Sequence, residues 1–361
     1  MKNSSLYNNL VNECSRENVA KLLSVDSEVE LNELYKHALN TKKQFTGNNI
    51  YLRGLIELSN ICLKNCFYCG IRRGNGKVER YQMGFREIVD AAVYAWKNKF
   101  GSIVIQSGER NDKAFVLYIE ELLEEIHRRT NHELGVTLSL GEQTEETYKR
   151  WFERGAHRYL LRIESSNEDL FYKIHPKDER HSYTKRLKAL ETIKKTGYQT
   201  GTGIMIGLPF QTIDHLADDL IFMKEFGVDM VGMGPYLEHK DTPLYQHRQL
   251  IPSPADRFRL SLNMIASLRL LMPDVNIASA TALETLDPNG RIMALQAGAN
   301  VFMPNLTPEE NAINYFLYKN KPLFNGHNIK YLKDFEVKLQ KSDQSIAYGE
   351  QGNSQRYSTR K

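Results

Sequence analysis

Cysteine is scarce in this chain: only four occur among 361 residues, and none follows Cys69. Three of the four, Cys62, Cys66 and Cys69, are crowded into one short stretch, which does not suit a disulfide framework and points to a reducing compartment. Long apolar runs are missing too. No stretch approaches membrane-spanning length, and the start, Met1-Lys2-Asn3-Ser4-Ser5, lacks the hydrophobic core of a signal peptide, so a cytoplasmic protein with no membrane partner is expected. An excess of one charge is also absent. The 48 Lys and Arg nearly balance 44 Asp and Glu, and the net +4 is spread along the chain, so nothing points to nucleic acid. What remains is an ordinary globular composition, 41% hydrophobic and 25% charged.

Residues 1–48 read as a helical extension. Ser27 and Glu30 make a capping signal, followed by Val29, Leu31, Leu34, Tyr35 and Ala38 at helical spacing. Cys14 lies there, far from the other three in sequence, and reads as a buried or spectator thiol. From residue 49 to 341, short apolar strands alternate with amphipathic helices. The strands are expected at 51–58, 102–106, 135–140, 158–163, 200–206, 229–233, 275–280 and 300–303. Phe115, Ile119, Leu122 and Ile126 mark one helical face between them. Thr212 and Gly227 bracket a second helix, and Ser253 with Pro254 opens a third. Eight alternating units predict an α/β fold, a closed (β/α)8 TIM-type barrel, over an open sheet. The segment 342–361 is polar and reads as a disordered tail.

The stretch from Asn60 to Gly70 carries the chemistry. Three thiolates on one loop can hold three irons of a cubane cluster and leave the fourth open. A zinc knuckle is the competing reading, but zinc closes with four ligands and no further Cys or His lies nearby in sequence. In a barrel, function collects at the carboxyl ends of the strands. Those ends read Gln106-Ser107-Gly108-Glu109, Ser139-Leu140-Gly141-Glu142, Arg162-Ile163-Glu164 and Gly203-Ile204-Met205-Ile206-Gly207. Each alone is an ordinary turn; together they outline a site.

With Tyr68 directly before Cys69, the cysteine loop resembles the cluster motif of radical S-adenosylmethionine (SAM) enzymes. More narrowly, residues 49–305 resemble the HydE family of [FeFe]-hydrogenase maturases, on the strings at 106–109, 136–142, 158–162, 200–203, 207–209, 229–232, 241–244 and 298–305. The resemblance implies a [4Fe-4S] cluster on Cys62, Cys66 and Cys69, and reductive cleavage of SAM to a 5'-deoxyadenosyl radical. It implies SAM contacts from Ser107, Gly108, Glu109, Glu164, Arg186, Gly203, Ile204 and Gly207. It also implies a small organometallic iron substrate on the path to the hydrogenase H-cluster, held in the barrel by Thr137, Ser139, Arg162 and Thr281 with Tyr236 and Met303 as walls. A reductant such as flavodoxin or ferredoxin and other hydrogenase maturases are the partners it implies. Some family members carry a second iron–sulfur site from C-terminal cysteines, which this chain lacks. Other readings stay open: an enzyme like methylornithine synthase or biotin synthase acting on a small organic molecule, or a non-catalytic iron–sulfur carrier. The auxiliary-cluster cysteines of biotin synthase are missing here.

Overall fold

The computed structural model describes residues 14–318, 321 and 329–360. Eight parallel strands close into a barrel: β1 (Asn49–Ser59), β2 (Ser102–Ser107), β3 (Gly135–Ser139), β4 (Ala156–Leu160), β5 (Gln199–Thr202), β6 (Met230–Val231), β7 (Asn276–Ser279) and β8 (Val301–Phe302). Closure is the pairing of β8 with β1, Tyr51 against Val301 and Leu52 against Phe302. All eight strands lie where the alternating pattern predicts them, with β5 interrupted after Thr202. Met205–Ile206 instead pairs with Gly234–Pro235 in a separate two-stranded ladder above the barrel.

Helices cover the barrel, and their ends follow the sequence signals. Thr212 accepts from the His215 N–H to start Ile213–Phe226, and Gly227 ends it in a left-handed conformation at φ 68°. Ser253 caps Pro254–Leu271, with proline at the first turn. The N-terminal helices α1 (Arg16–Leu23) and α2 (Glu28–Thr46) lie outside, on the flank made by those two helices. Arg16 pairs there with Asp218 at 2.6 Å, Tyr35 donates to Asn263, and Asn263 donates to the carbonyls of Leu23 and Val25. Cys14 packs against the same core but is half-buried rather than buried. Among the described residues, no helix is long and apolar enough to cross a membrane.

The expectation of a disordered tail is corrected. β9 (Ser345–Ile346) pairs in parallel with the start of β1, and residues 351–354 enter the amino-terminal mouth of the barrel. Arg53 donates to the Gly352 carbonyl at 3.0 Å, as does Asn276 at 2.9 Å. Arg158 reaches the Gln351 carbonyl and Asn353 Oδ1, and Gln199 holds Asn353 and the Ser354 N–H. The helix Gln355–Arg360 then lies across the outside, with Arg360 on Asp229 at 2.7 Å and Arg356 on Asp274 at 2.9 Å. Polar composition misled here because this segment is ordered mainly by hydrogen bonds to buried donors and by ion pairs, with Ile346, Ala347 and Tyr357 adding a small apolar contribution.

Candidate functional site at the carboxyl-end mouth

The cysteine loop leaves β1 at its carboxyl end and is stapled from within. The Arg80 guanidinium donates to the carbonyls of Asn60, Ile71, Arg72 and Asn75, all within 3.2 Å. Asn60 donates to the carbonyls of Glu79 and Asn314. The fold therefore fixes the loop's path without calling on the thiols. Phe67 and Tyr68 pack with Ile174, Leu208, Tyr236 and Leu244 in a second apolar cluster beside the barrel core. The Tyr68 hydroxyl lies 3.3 Å from His175 Nε2, and the ring of His175 stacks on Phe171.

The turn after β2 interlocks with this loop. Gly108 donates to the Ser59 carbonyl, Leu63 donates to the Glu109 carbonyl, and the Glu109 N–H donates to Cys62 Sγ at 3.3 Å. A Cβ on Gly108 would meet the Ile61 carbonyl oxygen at 2.4 Å and Cys62 Cβ at 2.8 Å, so glycine is required for the approach. Gly141 makes the matching room on β3's turn: its φ is +79°, and a Cβ there would overlap Glu109 Cγ at 2.2 Å.

The Glu109 carboxylate is buried and engaged. It lies 3.2 Å from Lys64 Nζ, accepts from the Glu142 N–H at 3.0 Å, and stands 3.9 Å from Arg186. Arg186, on the helix Tyr183–Thr196, bonds Glu142 and donates to the Arg162 carbonyl at 2.6 Å. It is buried, which rules out a solvated helix face. Burial pushes the Glu109 carboxyl up, against the pull of Lys64. Burial also acts on Glu142, but Arg186 and Lys64 outweigh it and hold that carboxyl low. At the end of β4, Arg162 grips Glu164 through two bonds of 2.8 and 2.9 Å and donates to the Ile204 carbonyl. Glu164 has a left-handed backbone at φ 65°, and its N–H donates to the Gly203 carbonyl.

The structure thus brings Ser107, Gly108, Glu109, Glu164, Arg186, Gly203 and Ile204 to the mouth that holds the cysteines. Gly207 turns there at φ 80° against Arg257. Of the residues expected to hold a substrate, Thr137 and Met303 line a cavity of about 40 Å³ on the barrel axis, with Arg53, Leu160, Met230 and Asn276. That is room for a water or two. The Thr137 hydroxyl is buried and has no partner among the described residues. Ser139, Arg162, Tyr236 and Thr281 are not part of that lining. Arg162 is already taken by Glu164, Tyr236 sits in the second apolar cluster, and Thr281 starts the short helix Thr281–Leu286. Sequence reasoning left Lys64, Glu142, His175 and Asp219 without roles. Two of these carried a signal: Lys64 lies inside the cysteine motif and Glu142 lies in the turn after β3.

The donor set fits a cubane. Burial pushes all three thiols up, Cys66 to about 12, and the cysteines raise one another, with Cys62 acting on Cys66 and both of these on Cys69. Such a trio stays deprotonated only beside compensating positive charge, which iron supplies. Among the described residues no three His, Cys, Asp or Glu side chains converge as ligands of a single ion. A cubane sets a different requirement, since each thiolate binds its own iron.

Comparison with known proteins gives the family and the fold. The family model described as Radical SAM superfamily matches residues 56–223. The [FeFe] hydrogenase maturase subunit HydE of Thermotoga maritima is 43% identical over 310 residues, 86% of this chain and 85% of that protein. A 3-methylornithine synthase of Methanosarcina acetivorans is 28% identical over 83% of each chain. Among solved structures, methylornithine synthase superposes with a TM-score of 0.76 at 22% identity, covering 95% of this chain and 98% of that one. The maturase HydG gives the same TM-score at 20% identity, over 96% and 76%.

Proposed function

Since the chain belongs to the HydE family of radical SAM enzymes, with a [4Fe-4S] cluster and SAM as cofactors, we propose that it acts on an organometallic iron precursor during assembly of the [FeFe]-hydrogenase H-cluster. The observation that carries this reading is the 43% identity to HydE along most of both chains, against 28% to 3-methylornithine synthase. When bound, the cluster supplies the electron that cleaves SAM.

The chain's own residues divide the remaining work. Cys62, Cys66 and Cys69 hold the cluster, and the Glu109 N–H stabilises charge on the Cys62 sulfur. Glu109, Glu164 and Arg186 form the charged rim for SAM's amino and carboxylate groups, a guanidinium being suited to bidentate capture of a carboxylate. Below them the Thr137 hydroxyl, unpartnered among the described residues, faces a cavity with room for a water or two, and through such a water it offers a hydrogen bond to an anionic substrate, which could not be buried unpaired. Ser139 and Thr281 add donors higher in the barrel, while Arg162 stays on Glu164. The electron comes from a low-potential carrier such as flavodoxin or ferredoxin, and the enzyme works beside other hydrogenase maturases in the cytoplasm.

The test is an anaerobic hydrogenase-maturation assay from which HydE is omitted and to which this reconstituted protein is added. Hydrogenase activation is the expected result, and Thr137→Val lowers it severalfold while SAM cleavage persists. Production of 3-methylornithine without hydrogenase activation would sink the maturase reading, and absence of SAM cleavage would leave only a carrier.

A further inference from the structure

Lys64, Glu109, Arg186 and Glu142 form a closed ring of alternating charge behind the cysteine loop. Lys64 Nζ lies 3.2 Å from Glu109 and 3.0 Å from Glu142. Arg186 closes the other side, bonded to Glu142 and 3.9 Å from Glu109. The four side chains are only 6–17% exposed. They come from four places in the chain: the cysteine loop, the β2 turn, the β3 turn and the helix after β4. Lys64 also donates to the Arg180 carbonyl, so its ammonium is fully engaged.

The ring's formal charge sums to zero, two cations against two carboxylates. Buried ions are costly unless each is matched, so losing any single member unbalances the other three. The position matters more than the stability. Lys64 sits midway between Cys62 and Cys66 in sequence, and Glu109 donates its N–H to Cys62 Sγ while its carboxylate belongs to the ring. Fixed charge in a water-poor site acts strongly on any group whose charge changes nearby. A cluster gains one negative charge when it is reduced, and its potential follows the net charge and hydrogen bonds around it.

We propose that Lys64 and Glu142 are positioning residues of the radical SAM cluster: through the ring they clamp the cysteine loop and set the electrostatic balance against which the cluster is reduced. The inference rests on the cluster that the family shares and not on the substrate. The Lys64 backbone N–H bonds the Cys62 sulfur, whereas the charged heads of Lys64 and Glu142 belong to the ring. Glu142→Gln keeps the shape and leaves Lys64 and Arg186 facing Glu109 alone, so the ring becomes positive and reduction easier. Lys64→Met keeps the aliphatic stem and leaves the two carboxylates with Arg186 alone, so the ring becomes negative and reduction harder. Combining the two restores neutrality.

The experiment is an EPR-monitored redox titration of the full, anaerobically reconstituted chain without SAM, with iron content measured in parallel. The expected midpoint moves up in Glu142→Gln, down in Lys64→Met, and back towards the parent value in the double variant. Shifts of the same sign in the two single variants, or no shift, overturn the proposal. Should Lys64→Met bind no iron, Lys64→Arg decides. Parent iron content and parent potential in that variant support the ring, and loss of either overturns it. Failure of the substrate reading would appear only in the maturation assay and would leave these potentials unchanged.

Discussion

Glu164 keeps a left-handed backbone that costs a non-glycine residue on the order of 1 kcal/mol or more. The neighbouring Asp219 helps hold it. Asp219 is fully buried and accepts from both the N–H and the hydroxyl of Ser166 at 2.6 Å, fixing the chain two residues after Glu164. Its second oxygen has no partner among the described residues, and burial raises its carboxyl to about 7. The folded state therefore binds the proton more tightly than the unfolded state, whose carboxyl titrates near 4. That contribution to stability is complete below pH ~4 and is lost as pH rises through ~7. Asp219→Asn keeps an acceptor for Ser166 and removes the charge. Its stability relative to the parent protein should grow between pH 4 and 7 and level off above, by at most a few kcal/mol. Thermal denaturation across that range checks the sign; a difference independent of pH would refute it.

At the scale of elements, the site is one loop and one turn pressed together. Gly108→Ala would drive a methyl group into the Ile61 carbonyl and Cys62 Cβ, and the β2 turn would have to move off the cysteine loop. The loss is expected in iron content after reconstitution, at least severalfold, while circular dichroism of the barrel stays near the parent. Full iron loading in that variant would show that the interlock is dispensable. Much of this element-level picture was legible beforehand. Cys62, Cys66, Cys69 and the β2 turn stand out because their residue types and spacing are themselves the chemistry. The ring through Lys64 and Glu142 was not legible, because an ion pair between residues 78 apart leaves no local pattern. Arg162 was readable as a donor, but its capture by Glu164 depends on a backbone turn that sequence does not display.

For the whole molecule, apolar periodicity predicts the eight strands because a parallel barrel buries both faces of each strand. The segment 345–360 largely escapes that logic, since most of its contacts are hydrogen bonds to backbone carbonyls and side-chain amides and ion pairs. It stops the amino-terminal mouth and accepts one Nη each of Arg53 and Arg158, two buried guanidiniums without a carboxylate partner among the described residues. A chain ending at Gln344 should therefore melt several degrees lower, and phenylglyoxal should modify Arg53 and Arg158, which are protected in the full chain. Mass spectrometry locates the adducts; continued protection would mean that another part of the barrel closes this end.

Barrel closure also has a consequence for biosynthesis. One edge of β1 is completed only by β8, and residue 302 is translated roughly 240 residues after Ser59, on the order of tens of seconds later at ~5–20 residues per second. Throughout that interval the nascent chain carries an apolar strand with an open edge, the arrangement most prone to pair with a neighbour. Production of this enzyme is thus limited by how well the cell shields that edge on the ribosome. Slowing translation between β1 and β8 should lower the soluble yield even though no residue of the protein has changed.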